Sequence, residues 1–552
     1  MPAAPNGFGA TLGLPRVQAQ LLYNRGVRTS EDAARFVSSD SSLSHDPSLL
    51  PDMDRAVERL VGAIGAREVI GVFGDFDTDG VTGTAVLVRA LRALDAEVVT
   101  HIPHRVDEGH GLNADAIGAL RDRGVTLLIT VDCGVTSPDE IRIAATMGID
   151  TIVTDHHALH GETPEALALI NPRREDSAYP YTELTGVGLA FKLVQALYMR
   201  LGKDAPGGLL ELVALGTVAD VGPLTGENRY FVNEGLARIN ESSNVGIRAL
   251  AEVAGLQLGA LDESSLSFGL IPRLNAPGRL AHANASLELL TTVDVNEARA
   301  LAEQLQLHNQ ERQTLTERGV AQAEAQISRR HPDGVPSIIV VGSRGWLPGI
   351  LGIIAGRLAE TYYRPAIAVS VGAEYSRASA RSIPEFNIVQ ALNACAEMFT
   401  RFGGHAQAAG FTIPTDRMKE LVGRLTDDAT SQIGARDLEP ELKIDCAASP
   451  SEIEGDTFRF MRQLSPFGAQ NPQPLFAATG ARVVESRTVG QGRHLRLRLA
   501  HNGAQWDAIA FRQGERAELA RDAIDIAYGM ELNEWRGRQT MQLIVEDLRP
   551  SS

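Results

Sequence analysis

The sequence predicts an α/β protein: a parallel sheet, a long connecting helix, a second α/β unit and a C-terminal β-barrel. Three observations carry this. Between residues 67 and 170, apolar runs such as Val125-Thr126-Leu127-Leu128-Ile129-Thr130-Val131 alternate with helical patterns, as βαβ units require. A polar helical pattern then spans 294–330 and ends at Pro332-Asp333-Gly334. From residue 441 strands dominate, and His494-Leu495-Arg496-Leu497-Arg498-Leu499 alternates with period two, burying leucines and presenting basic residues.

Length and composition bound the rest. At 552 residues the chain exceeds one ordinary core, so three or four domains are expected. With 44% apolar and 22% charged residues and no apolar run of membrane length, a soluble globular protein is expected. The start, Met1-Pro2-Ala3-Ala4-Pro5-Asn6, has no basic segment leading into an apolar one, so secretion is not expected. Cys133, Cys395 and Cys446 lack CxxC spacing, which argues against a disulfide framework or zinc knuckle and suits a reducing cytoplasm. The net charge of −17 alone points away from nucleic acid. A polyanion senses charge only within a Debye length of about 8 Å, so clustering of the arginines matters more than the total.

In order, residues 1–65 read as a helical lead-in, with Thr29 capping a helix through 33–37. Strands are expected at 69–73, 97–102, 125–131, 151–153 and 167–170, and helices at 81–94, 113–123 (capped by Asn113) and 137–147. Ligands of such sheets bind beyond the carboxyl ends of the strands. Asp75-Phe76-Asp77-Thr78-Asp79-Gly80 follows the first strand, Asp132-Cys133-Gly134 the third, and Asp155-His156-His157 the fourth. Ala219-Asp220 closes a further apolar element, 212–218. These clusters are distant in sequence and should meet on one rim.

Carboxylates that converge repel and raise one another's pKa values. Divalent cations are the simplest neutraliser, and oxygen-rich clusters with an imidazole suit Mn²⁺ or Mg²⁺ better than structural zinc. Two such ions about 3.5–4 Å apart make a phosphoester-hydrolysing centre. The competing readings are weaker. Asp75-x-Asp77-x-Asp79-Gly80 matches half of a calcium EF-hand loop, but its twelfth position is Val86 instead of glutamate, and a strand precedes it. Asp132-Cys133-Gly134 alone reads as a turn, and a lone His-His pair as surface.

Together with Gly216-Thr217-x-Ala219-Asp220, these motifs resemble those of the DHH phosphoesterases. Gly80-Val81-Thr82-Gly83, Ile102-Pro103-x-Arg105, Gly109-x-Gly111-Leu112 and Pro272-Arg273-Leu274-Asn275-Ala276-Pro277-Gly278-Arg279 resemble the RecJ branch of single-strand-specific DNA exonucleases, from about residue 15 to the end. The resemblance implies Asp77, Asp79, Asp132, His156 and Asp220 as metal ligands, Asp132 as the bridge, and His157 against the scissile phosphate. Asp75 and Asp155 are left as ligands or orienters.

Downstream, Glu227-Asn228-Arg229 reads either as support for the metal rim or as a turn. Residues 272–279 read as a proline- and glycine-punctuated loop, with Arg279 as a phosphate contact by resemblance. Asp294 and Glu297 read as a capping box opening the long helix, a strut between domains. After the break, Trp346-Leu347-Pro348-Gly349 precedes a helix whose N-terminus suits an anion, though Leu347 stands where the family carries histidine. With Ser379-Ala380-Arg381-Ser382 and Gly403-Gly404-His405 this segment resembles a DHHA1 substrate-binding domain. That implies Ser379 and Arg381 for a 5′-terminal phosphate and His405 for a phosphate near the metals. The β region, with strands expected from 442–444 onward, suggests an OB-fold with a basic face that includes Arg496 and Arg498. Trp506 and Trp535 read as base-stacking candidates, with Trp506 equally consistent with a core residue.

The expected domains are thus 1–65, DHH 66–235, a helical connector 236–332, DHHA1 333–432 and OB 433–552. The resemblance implies a two-metal 5′→3′ exonuclease releasing 5′-mononucleotides from single-stranded DNA in repair and recombination. Arg105, Arg279, Ser379, Arg381, His405, Arg496 and Arg498 are its expected substrate contacts. A cytoplasmic monomer is expected, with single-strand-binding protein and a helicase as partner classes and no membrane association. Two alternatives stand beside it: a phosphodiesterase for short oligonucleotides or cyclic dinucleotides, and an inactive DNA-binding scaffold of the same fold.

Overall fold

The computed structural model describes residues 1–159, 161–434, 436, 438–535 and 538–551. The chain divides into two compact units: Met1–Asp46 with Val221–Glu234 and Glu441–Ser552, and Pro47–Asp220 with Gly235–Pro440.

In the larger unit, β1 (Val69–Gly74), β2 (Glu97–His101), β3 (Val125–Val131), β4 (Asp150–Thr154) and β5 (Ala168–Ile170) form one parallel sheet in the order β2-β1-β3-β4-β5. One face buries Phe73, Ile117, Leu120, Leu128 and Val153 with their neighbours. Each fully buried side chain of this size contributes about 1.5–3 kcal/mol. Helix Thr78–Arg92 is buried along nearly its whole length and packs on helices Gly186–Leu201 and Leu209–Ala219. Asn113 caps helix Ala114–Asp122 by accepting from Ala116 N at 2.8 Å.

The connector differs from its expectation in two places. Residues 272–279 are not a loop: a π-helical turn, Ser265–Leu270, runs into helix Ile271–Leu280. Pro272 lies in its first turn, where no backbone donor is needed, and the helix ends within three residues of the interior Pro277. The long helix is Val295–Arg330, 36 residues and about 54 Å. Asp294 caps it by accepting from Asn296 N and Glu297 N, but the reciprocal half of the capping box is absent because the Glu297 carboxylate accepts from Thr292 Oγ1 instead. Its buried stripe includes Ala298, Ala302, Leu305, Gly319 and Ala323. At Gly319 a Cβ would lie 2.5 Å from Ile354 Cδ1, so a side chain there would push off helix Pro348–Tyr362.

A second sheet follows in the order β6-β7-β8-β10-β9: β6 (Ile339–Ser343), β7 (Ala366–Ser370), β8 (Tyr375–Arg381), β9 (Arg401–His405) and β10 (Ala408–Pro414). Only β6 and β7 run parallel. Gly403-Gly404-His405 ends the edge strand β9.

In the smaller unit, β11 (Cys446–Ala447) joins a barrel of β12 (Phe476–Val489), β13 (His494–His501), β14 (Ala504–Ala510), β15 (Ala523–Trp535) and β16 (Arg538–Pro550). The order β12-β13-β14-β16-β15 closes through β12–β15, and the β14–β16 pairing is parallel. The strand expected at 442–444 is absent. The chain there is held by the Asp445 side chain, which accepts from Leu475 N and Asn24 Nδ2, and not by a ladder. Trp506 is 6% exposed in the barrel core, so it offers no stacking face. The side chains of Trp535, Arg536 and Arg538 lie outside the described residues.

The lead-in is split between the units. Val17, Leu21, Leu22, Val27 and Ala33 join the barrel core, whereas helix Met53–Ala66 belongs to the larger unit. Glu227-Asn228-Arg229 is not a turn. It lies in helix Gly226–Asn240, and the buried Arg229 guanidinium donates to the carbonyls of Phe36, Gln463, Leu464 and Ser465 within the smaller unit. Four neutral acceptors suit a buried guanidinium, which carries five donors.

Candidate metal centre

The rim is built by extending the sheet one residue beyond each strand. Asp75 N donates to Val131 O (3.3 Å), Asp132 N to Thr154 O (2.9 Å) and Asp155 N to Ile170 O (3.2 Å). Each carboxylate is therefore pinned at the carboxyl edge by its neighbour strand's last carbonyl. Asp132 adopts φ 61°, a left-handed conformation that costs a non-glycine residue about 1–3 kcal/mol and is typical of strained functional positions.

Asp77 and Asp79 come from the β1 loop and the helix it starts. Asp77 Oδ1 caps helix Thr78–Arg92 by accepting from Asp79 N (3.0 Å) and Gly80 N (3.2 Å). Asp79 accepts from Gly186 N (2.7 Å) and Val187 N (2.9 Å), at the N-terminus of the next buried helix. Three glycines let the elements meet. A Cβ at Gly80 would lie 2.6 Å from Asp75 backbone, one at Gly186 2.5 Å from Asp132 Cβ, and one at Gly216 2.3 Å from Thr82 Oγ1. Asp220 follows helix Leu209–Ala219.

These side chains converge into three overlapping groups: Asp132, His156 and His157; Asp79, His156 and Asp220; Asp75, Asp77 and Asp132. Within each, ligand atoms lie within 4.8 Å of one another. His156 Nε2 is 3.0 Å from Asp132 Oδ1 and 3.8 Å from Asp220 Oδ2. Burial, then the neighbouring carboxylates, pushes Asp79 and Asp132 well above the usual carboxylate range and Asp220 up to about 7. Burial and then Asp75 raise Asp77. Burial, then His157, pushes His156 down to about 3, leaving a neutral imidazole suited to ligation. Asp75 Oδ1, Asp132 Oδ1 and His156 Nε2 are buried without a well-formed hydrogen bond, the 3.0 Å approach of the last two lacking hydrogen-bond alignment. Orphaned acceptors beside mutually repelling carboxylates fit divalent cations and fit little else.

Asp155 stands apart. Its oxygens accept from Val135 N (3.0 Å), His157 N (3.0 Å) and His157 Nδ1 (2.7 Å), and it belongs to none of the three groups. Burial opposes its charge, but the His157 bonds and charge outweigh that and lower its pKa. For His157 burial again works in the opposite sense, and Asp155 pushes it up to about 9.

The arginines lie on the same unit. Arg105 donates to Gly278 O (3.0 Å) with its guanidinium 3.9 Å from the Phe76 ring centre. Arg279 donates to Gly349 O (3.2 Å); burial, then Arg105, pushes its pKa down to about 9. Arg381 donates to Ser379 Oγ (3.3 Å), and both face helix Pro348–Tyr362 at Gly352, where a Cβ would lie 3.0 Å from Arg381 Nη2. Arg377 donates to Val106 O, tying the second sheet to the loop that carries Arg105. His405 is exposed at the end of β9 and makes no ion pair with the metal group among the described residues. Leu347 is exposed and precedes helix Pro348–Tyr362.

Sequence reasoning passed over two residues. Asn275 Oδ1 accepts from Thr78 N (3.1 Å), so helix Ile271–Leu280 braces the metal loop. His110 Nδ1 lies 3.2 Å from Asp75 Oδ2, between Gly109 and Gly111, both at positive φ; that flanking pair was its only signal. On the barrel, Arg496 and Arg498 are exposed on β13, but the face is mixed: Arg498 lies 3.5 Å from Asp507 and pairs across from Glu485.

A carboxylate rim of this kind on a parallel sheet, with arginines of a second α/β sheet beside it, defines a metal-dependent phosphoesterase. Three family models agree, matching the DHH family N-terminal domain at residues 69–217, the DHHA1 domain at 335–431 and the RecJ OB domain at 444–547. Two relatives match nearly the whole chain. The single-stranded-DNA-specific exonuclease RecJ of Bacillus subtilis is 36% identical over 534 residues, covering 96% of this chain and 67% of that protein. The Dickeya dadantii exonuclease of the same name is 36% identical over 564 residues, covering 97% and 96%. The chain belongs to the RecJ family of exonucleases. Thermus thermophilus RecJ in complex with Mn²⁺ has a similar structure, with TM-score 0.85 and 33% identity over 100% of this chain and 79% of that one; its complex with Mg²⁺ gives 0.81 and 32%.

Proposed function

We propose that this protein is a metal-dependent exonuclease that removes 5′-mononucleotides from the 5′ end of single-stranded DNA, in DNA repair and recombination. The observation that carries this reading is the rim of buried, mutually repelling carboxylates and a neutral imidazole beside arginines that have no carboxylate partner among the described residues. Asp77, Asp79, Asp132, His156 and Asp220, with Asp75, would hold two cations, Mn²⁺ or Mg²⁺; Asp132 and His156 each belong to two of the ligand groups, and of the two the carboxylate, with two oxygens, would suit the bridging role. When bound, such ions supply phosphoryl polarisation, water activation and charge neutralisation at the leaving 3′ oxygen.

The other groups bind and orient. Asp155 holds His157 by Nδ1, so the ring's other edge faces the scissile phosphate. Arg105 and Arg279 grip phosphate oxygens beside the metal loop, while Arg381 and Ser379 take the terminal 5′ phosphate. His405 contacts a phosphate once a strand is bound. Arg496 and Arg498 give the strand a second foothold on the barrel. The reading carries a cytoplasmic monomer; among the described residues no helix is long and apolar enough to cross a membrane. Single-strand-binding protein and a helicase are the partner classes it implies.

Digestion of single- and double-stranded DNA labelled at either end, with and without EDTA, tests the reading. A 5′ label on a single strand should appear first in mononucleotides. Labelled long products before mononucleotides would overturn the polarity, and preference for a dinucleotide over a long strand would favour a short-oligonucleotide phosphodiesterase.

A further inference from the structure

Gly109-His110-Gly111-Leu112 lies beyond β2, on the loop that carries Arg105. Leu112 is buried in the core on one face of the first sheet and fixes the end of this loop. Gly109 and Gly111 both take left-handed conformations (φ 82° and 84°), which glycine adopts without a steric cost. A Cβ at Gly111 would also lie 3.2 Å from Ser137 Oγ. The two glycines turn His110 back toward the metal loop. There its ring meets that of Phe76, with centres 4.3 Å apart and planes at 52°. Phe76, between Asp75 and Asp77 in the chain, is itself buried, and the Arg105 guanidinium lies 3.9 Å from the same ring centre. Loop 102–112 thus grips the metal loop through one aromatic side chain.

His110 Nδ1 lies 3.2 Å from Asp75 Oδ2, while Asp75 Oδ1 is buried without a well-formed hydrogen bond. The carboxylate is therefore divided: one oxygen faces an imidazole and the other is left to a cation. A carboxylate turns easily about its last bond, so an unheld Asp75 could swing Oδ1 out of the rim. We propose that His110 is a positioning residue of the metal centre, holding Oδ2 of Asp75 so that Oδ1 stays turned toward the cations. The proposal rests on the two-cation reading above. It is the reverse of the pair at 155–157, where a carboxylate orients an imidazole. His110 belongs to none of the three ligand groups, so it acts on the metals through Asp75. Partners that orient a ligating group in this way typically change metal affinity by about 10- to 100-fold.

The test compares two variants of the full chain. His110→Phe keeps an aromatic ring against Phe76 and loses the donor, whereas the side-chain amide of His110→Asn can donate from near the position of Nδ1. His110 is exposed, so the fold tolerates both. Mn²⁺ binding to the metal-free proteins is measured by titration calorimetry, and nuclease activity is followed across a Mn²⁺ series. His110→Phe should weaken Mn²⁺ binding by roughly tenfold, the low end of what losing such a partner costs. Its activation curve should move to higher Mn²⁺ by the same factor and approach the wild-type kcat at saturation. His110→Asn should recover most of the loss. Binding of a single strand in EDTA, read by anisotropy, should match the wild type in both. A wild-type Mn²⁺ constant in His110→Phe overturns the proposal, and weaker strand binding by that variant would then make His110 a substrate contact instead. Equal losses of Mn²⁺ affinity in the two variants overturn it too, because the donor would not be what matters. A wild-type protein that binds no Mn²⁺ overturns the metal reading and the proposal with it, so the two failures are told apart.

Discussion

His157 donates both its backbone N–H (3.0 Å) and its ring Nδ1 (2.7 Å) to the same oxygen of Asp155. The two bonds close a small ring that sets the imidazole plane and leaves its other edge free. The second Asp155 oxygen accepts from Val135 N.

Asp155→Asn should therefore lower kcat/KM by roughly 10- to 100-fold, the usual cost of losing a partner that orients a site imidazole. Mn²⁺ binding by titration calorimetry should weaken less than in Asp132→Ala. Equal loss of metal in the two variants would instead make Asp155 a ligand.

Asp132→Asn removes a charge that its neighbours destabilise. In EDTA the variant should melt slightly above the wild type, because repulsion with Asp79, Asp77 and Asp220 is relieved. With Mn²⁺ the order reverses, since metal at a hundred times its Kd stabilises the wild type by about 2.7 kcal/mol and the variant by far less. Nuclease activity should fall by roughly a hundredfold or more. A Mn²⁺-induced shift of wild-type size in the variant would rule out Asp132 as a central ligand.

The sheet and its rim were legible because β1, β3 and β4 are continuous apolar runs, each stopping at Asp75, Asp132 or Asp155. A parallel sheet turns that pattern into position directly. Residues 272–279 were not legible: two prolines and a glycine signal a loop locally, yet packing against the metal loop holds a helix whose first turn needs no proline donor. The role of Asp155 was open for a different reason. A carboxylate beside two histidines can ligate or orient, and the hydrogen bonds within 155–157 that bear on the choice come from backbone geometry. The contacts of Arg229 were not legible because its partners, Phe36 and 463–465, are distant in sequence, and carbonyl acceptors carry no residue signature. On the barrel, the basic face of β13 was visible by alternation, but Asp507, which answers Arg498, sits on the next strand and becomes a neighbour only through the register.

That register separates two arginines that look alike in sequence. Arg498 is 3.5 Å from Asp507, whereas Arg496 has no carboxylate partner among the described residues and lies opposite Arg487. Arg496→Gln should weaken binding to a single strand and reduce its salt slope by about 0.7, and Arg498→Gln should do so less. Asp507→Asn should tighten binding, because it frees Arg498. Filter binding across a salt series distinguishes these, and tighter binding in Arg496→Gln would exclude this face as a strand contact.

The edge of the sheet opposite the metals carries a stability switch of ordinary kind. Glu68 accepts from the two terminal guanidinium nitrogens of Arg59 (3.0 and 2.6 Å) and from Thr126 Oγ1 (2.5 Å), while Arg59 Nε reaches Asp150 (2.7 Å). Helix Met53–Ala66 is thereby fastened to the starts of β1, β3 and β4. The Arg59 bonds, then Thr126, hold Glu68 below the usual carboxylate range. Because the folded pKa is the lower one, the contribution is complete above the unfolded value of about 4.3 and is lost as pH falls through the folded value. Glu68→Gln should cost about 1–2 kcal/mol at neutral pH, a charge-assisted bidentate contact reduced by partial exposure. The gap between wild type and variant in urea denaturation should narrow as pH falls below the unfolded value and close once pH is below the folded one. A gap that stays constant with pH would mean that packing around residue 68, and not the ion pair, carries the difference.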